Sequence, residues 1–107
     1  MRNESLYLSD IVDIAEFIAG IDYDAFEKSE LLRSAVVQKL ATIGGAASRV
    51  SVDLKAANLQ VPWPQIVAFR NILIHAYFGI EWDLVWRAAT HRCPVLREQI
   101  AAIRDKQ

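Results

Sequence analysis

Arg70-Asn71-Ile72-Leu73-Ile74-His75-Ala76-Tyr77-Phe78-Gly79 is the stretch that decides how this chain reads. It sets an arginine, an asparagine, a histidine and a tyrosine close together in otherwise apolar sequence, just after Pro62-Trp63-Pro64. Ile66, Val67, Phe69, Leu73 and Ile74 recur at helical spacing, which predicts a helix from about Pro64 to a stop at Phe78-Gly79. The polar groups then ride on a rigid element. At about 100° per residue Asn71 and His75 share one face and Arg70 and Tyr77 another. Arg70 and His75 point about 140° apart by the same arithmetic. Gripping one small group with both requires the long arginine stem, unwinding near the helix end, or a second copy of the helix.

Downstream, Trp82, Leu84, Val85, Trp86 and Ala89 form a following helix with Glu81 or Asp83 as its cap. Pro94 is expected to interrupt it before Val95, Leu96, Ile100 and Ile103 resume the period. Upstream, Ser51-Val52-Asp53 opens a short helix that breaks between Asn58 and Pro62. Ser29 caps a longer one carrying Leu32, Ala35, Val36, Leu40 and Ile43 in register. Gly44-Gly45 sits in or near the end of that helix, where each glycine costs roughly 1 kcal/mol relative to alanine. Close approach of another helix explains the pair better than a ligand-binding loop, because no phosphate-loop spacing follows. Asp22 to Lys28 makes a short turn carrying Phe26 inward. Ile11, Ile14, Ala15 and Ile18 define a first helix, capped by Ser5 or Ser9 and stopped at Gly20.

No β-alternation, repeat or low-complexity segment is present. The fold class is therefore all-α: an up-and-down helical bundle of about four long helices plus short helical pieces, in one domain spanning residues 1–107. An apolar fraction of 53% with 23% charged residues excludes disorder. A net charge of −1 means that any anion site is local. Trp63, Trp82 and Trp86 read as core, since no basic cluster interleaves with them as in a base-stacking platform.

A single cysteine, Cys93, excludes an intramolecular disulfide, and with His75 and His91 as the only histidines no zinc ligand set exists. Neither metal nor cofactor is expected. Met1 to Ser5 leads into charged amphipathic sequence without the apolar core of a signal peptide, and no apolar run of about 18 residues is present to span a membrane. The expected setting is cytoplasmic. His91 reads as a surface or helix-end residue, Arg92 as a possible addition to a basic rim, and Arg97, Arg104 and Lys106 as a solvated helix end.

The central helix offers an imidazole of the type that titrates near neutrality, a permanent cation with a planar donor fork, and an amide able to orient the imidazole. These are the parts of a metal-free phosphodiesterase. In RNA the 2′-hydroxyl is a built-in nucleophile, so the protein need only move protons and offset charge developing at phosphorus. His75 is the candidate general acid or base, Arg70 the phosphate clamp and Asn71 a supporting residue. DNA, lacking the hydroxyl, is expected to be a poor substrate.

At these residues the chain resembles the HepT-like branch of the HEPN (higher eukaryote and prokaryote nucleotide-binding) domains. Their mark is Arg, often followed by Asn, then four to six residues, His, one residue and Tyr; Arg70-Asn71 with His75-Ala76-Tyr77 is similar to the short-spacing version. Pro62-Trp63, Phe78-Gly79, Ile43-Gly44 and Pro94-Val95-Leu96-Arg97 extend the likeness over nearly the whole chain.

The resemblance implies a homodimer whose paired motifs line a cleft, and a metal-independent ribonuclease toxin of a type VII-like toxin–antitoxin pair. It further implies an MNT-type nucleotidyltransferase antitoxin that transfers AMP from ATP to Tyr77, placing bulk and negative charge where RNA phosphate binds. Gly45 departs from the family, which often has an acidic residue there. The competing reading is a non-catalytic helical subunit that binds a nucleotidyltransferase or nucleotide.

Overall fold

In the computed structural model, which describes residues 4–76 and 79–107, four long helices carry the chain: α1 (Glu4–Ala19), α3 (Glu30–Ser48), α5 (Trp63–His75) and α7 (Cys93–Asp105). Short α-helices fill the connections: α2 (Tyr23–Lys28), α4 (Val52–Ala57) and α6 (Trp82–Arg87). A π-helical turn, Ala88–Arg92, joins α6 to α7. Among the described residues no strand is formed, and the architecture is the all-α bundle expected.

Period explains the packing. Leu8, Ile11, Val12, Ala15 and Ile18 form one stripe of α1, buried against α3 and α7. The opposing residues are Val36, Leu40, Ile43 and Ala47 from α3 and Leu96, Ile100 and Ile103 from α7, all in one contiguous core. α3 packs on its other side against α5. Each fully buried aliphatic side chain contributes roughly 1.5–3 kcal/mol by leaving water.

Caps fix where the middle helices begin. The Ser29 Oγ accepts the Leu32 N–H at 3.0 Å, and the Ser51 Oγ accepts that of Leu54 at 3.1 Å, as their positions in sequence require. Asp22 does the same for α2, accepting from Ala25 at 2.8 Å. The Trp63 indole N–H donates to the Asn58 carbonyl at 3.0 Å, tying the turn before α5 to its first residue. Pro64 in the first turn of α5 lacks an N–H where none is needed.

Several boundaries differ from the sequence reading. Ser5 and Ser9 lie inside α1 and not at its N-cap, because the helix already includes Glu4, whose carboxylate accepts the Ser51 N–H at 2.6 Å. Glu81 occupies the N-cap of α6 but makes no side-chain cap bond. Pro94 does not interrupt the helical path. It falls in the first turn of α7 after the π turn, whose wider hydrogen-bonding pattern accommodates a residue without an N–H. α5 ends at His75, short of the expected stop, because Ala76 leaves the α region at φ −105°, ψ 27°.

Arg97 is no solvated helix end. It ties α7 to α1 through Glu16 at 2.6 Å and also pairs with Glu98 at 2.9 Å, although partial exposure limits such pairs to about 1 kcal/mol or less. Trp63 is core, while Trp86 is half-buried and stacks on Phe26 at 4.9 Å. Trp82 stands at the rim under the Arg33 guanidinium, 5.3 Å from its ring centre. No described helix is long and apolar enough to cross a membrane.

Candidate active site

Gly44 and Gly45 explain how Arg70 is placed. A Cβ on Gly44 would lie 2.4 Å from the Cβ of Arg70 and 3.0 Å from its Cγ and Cδ, closer than side-chain atoms approach. The stem of Arg70 therefore lies across the bare backbone of Gly44, where α5 approaches α3 too closely for a side chain. The helix-contact reading of the glycine pair holds for Gly44. Gly45 is different: its Cβ would meet only Arg70 Nε, at the ordinary contact distance of 3.8 Å. Gly45→Ala is expected to raise stability by about 0.5–1 kcal/mol, or a few degrees in Tm, since alanine favours helix and nothing blocks the methyl group. A thermal melt checks it.

The head of Arg70 reaches a cleft of about 410 Å3 between α1, α3 and α5. Tyr7, Asp10, Thr42, Gly45, Arg49 and Ile74 line it with Arg70. An acidic side chain at position 45 would stand against Arg70 Nε. With glycine there, the half-buried guanidinium makes no hydrogen bond or ion pair with any described residue.

His75 is the last residue of α5 and is exposed, as are Asn71 and Ile72 on the same face. It does not line the cleft that holds Arg70. One chain thus keeps the two motif residues on different faces of α5, as the 140° separation requires. Neither Asn71 nor His75 makes a side-chain hydrogen bond to a described residue, so within one chain the amide does not orient the imidazole. Tyr77 lies outside the described residues. The exposed face of α5 is partly apolar at Ile72, 54% exposed, while Ile74, 47% exposed, stands on the other side of the helix beside Arg70.

His91 and Arg92 border a different cavity, about 360 Å3, walled mainly by Leu40, Ile66, Phe69 and Leu96. Arg92 therefore adds nothing to the rim of the Arg70 cleft. Cys93 is buried at the same place, and burial pushes its thiol up to about 11. It stays protonated near neutral pH and is a packing residue, not a nucleophile. Among the described residues no group of three or more His, Cys, Asp or Glu side chains is arranged to hold a metal ion.

An all-α bundle that seats an arginine over a helix–helix contact and exposes a histidine one and a half turns along the same helix defines a recognisable class. The chain belongs to the HepT-like ribonuclease family, whose model matches residues 7–103. Among its relatives, "Putative RNase MJ1380" of Methanocaldococcus jannaschii is 34% identical over 95% of this chain and 97% of its own length. "Putative RNase TTE0752" of Caldanaerobacter subterraneus subsp. tengcongensis is 31% identical over 100% of this chain and 99% of its own. "Probable ribonuclease HepT" of Thermococcus cleftensis is 30% identical over 96% and 97% respectively. No solved structure matches the chain.

Proposed function

We propose that this protein is a metal-independent endoribonuclease that acts as a homodimer and serves as the toxin of a toxin–antitoxin pair. The observation that carries the reading is the seating of Arg70 on Gly44, which holds a guanidinium with no ion-pair partner among the described residues at a cleft. Its planar fork suits a phosphodiester and offsets charge gathering on the phosphoryl oxygens. The 2′-oxygen attacks phosphorus as the bond to the 5′-oxygen breaks, leaving a 2′,3′-cyclic phosphate and a 5′-hydroxyl. A proton leaves the 2′-hydroxyl and one reaches the departing oxygen; His75 is the group for this traffic.

A second copy of the chain supplies the missing proximity. Pairing across the exposed stripe of Asn71, Ile72 and His75 would bury apolar surface that one chain leaves in water and bring a second copy of the motif against the first. Asn71, four residues from His75, supports the imidazole in that arrangement.

Neutralisation follows from the same electrostatics. An MNT-type nucleotidyltransferase antitoxin would transfer AMP from ATP to the Tyr77 hydroxyl, releasing pyrophosphate, and the added phosphate would repel RNA from the arginine. The intact mass of the protein, purified with and without the nucleotidyltransferase and ATP, tests this pairing. The expected result is an increase in whole AMP units that Tyr77→Phe abolishes; an unmodified protein that still binds the enzyme would mean inhibition by binding alone.

The exposed Ile72, beside Asn71 and His75, also suits a second reading, in which this face of α5 is a docking face of a non-catalytic partner subunit. Alanine at His75 separates the two, because docking alone does not need the imidazole.

A further inference from the structure

The cleft holds a second arginine. Arg49, the C-terminal cap of α3, lines it together with Arg70. Gly45 and Arg49 are four residues apart and so share one face of α3, separated by about 6 Å along the axis. Gly45 carries no side chain and lies against Arg70 Nε, so α3 puts no side chain at that position between the Arg70 guanidinium and the turn that bears Arg49.

Neither Arg49 nor Arg70 enters a side-chain hydrogen bond or ion pair with a described residue. Arg33 and Arg97, by contrast, are committed to backbone carbonyls and to carboxylates. Asp10 is the carboxylate on the cleft wall, and it already has a partner within the chain. Two arginines against one aspartate leave the cleft positive on a protein whose net charge is −1. A local positive site on a slightly acidic chain draws an anion there.

We infer that Arg49 is a second phosphate-binding residue, which holds the RNA phosphate next to the one held by Arg70. The identity of the ligand rests on the ribonuclease reading; the pairing in one cleft of two cations that have no side-chain partner among the described residues does not. Arg49 binds substrate and moves no proton, so its loss acts on affinity and KM more than on kcat. Its side chain is exposed and its cap bonds are made by its backbone N–H, so truncation leaves α3 intact.

The test uses a single-stranded, fully 2′-O-methylated RNA, whose blocked 2′-oxygen prevents cleavage, and measures its affinity for the full chain over a salt series. Each phosphate contact to a single strand contributes about 0.7 to the slope of log affinity against log salt. Arg49→Ala is expected to lower that slope by about this amount and to weaken binding roughly three- to tenfold. Arg49→Lys keeps the slope, and Lys28→Ala, a lost cation on α2 away from the cleft, leaves slope and affinity unchanged.

An Arg49→Ala protein with the original slope and affinity overturns the assignment, as does an equal loss in Lys28→Ala. Ribonuclease activity with binding indifferent to Arg49 removes the phosphate site and leaves the enzyme. Arg49-dependent binding without cleavage does the reverse, and failure to bind the oligonucleotide at all removes both.

Discussion

Gly44→Ala is expected to cost about 1–3 kcal/mol, the range for overpacking a close-packed contact, and to lower ribonuclease activity with it. The new methyl group would fall 2.4 Å from the Cβ of Arg70, an atom fixed to the α5 backbone, so no rotamer change relieves the clash. α5 must move away from α3, and the guanidinium moves with it. For a domain of this size each kcal/mol corresponds to about 4–8 °C in Tm. The effect is thus opposite in sign to that at Gly45, one residue along the same helix. Thermal melts of the two variants side by side check the pair. An unchanged Tm in Gly44→Ala would mean that α3 and α5 do not meet as closely as described.

Arg70→Ala and His75→Ala carry the largest expected functional losses. Removing a positioned acid–base group lowers rate typically by about 10²–10⁴, and removing a preorganised donor to developing charge by about 10²–10³. The two should differ in kind. Arg70 contacts phosphate in the ground state and in the transition state, so both KM and kcat suffer. His75 acts only as protons move, so kcat falls while RNA binding persists. Neither change should unfold the protein: His75 is exposed at the end of α5, and Arg70→Ala keeps the Cβ that packs on Gly44 while deleting only the outer stem. Circular dichroism spectra and melts near those of the parent protein are therefore part of the expectation.

Much of the fold was legible in the sequence because it depends on local rules. Ser29 and Ser51 announce helix starts by capping chemistry, Pro62-Trp63-Pro64 marks the start of α5, and the stripe Ile11, Ala15, Ile18 identifies the buried face of α1. What escaped depends on contacts distant in the chain. Nothing near Arg97 reveals that Glu16 lies opposite it, and nothing near Pro94 reveals that a π turn absorbs the missing donor. Ser5 and Ser9 are good caps by type, yet both sit within α1 and not at its N-cap.

The site divides in the same way. The helical period already separates Arg70 from His75, and the structure keeps them on different faces. The glycine pair signals a close helix contact, but that the partner is the stem of Arg70 emerges only when α3 and α5 are in place. Arg49 passes unremarked in sequence, although its four-residue spacing from Gly45 is visible there. A cleft made by three helices gives it a neighbour that spacing alone does not reveal.

Metal-free ribonuclease action by Arg70 and His75 is tested by cleavage of a labelled single-stranded RNA by purified protein in the presence of a chelator, with Arg70→Ala and His75→Ala assayed beside it. The parent protein is expected to give products ending in a 2′,3′-cyclic phosphate and a 5′-hydroxyl, and either variant almost none. Undiminished cleavage by both folded variants would contradict it.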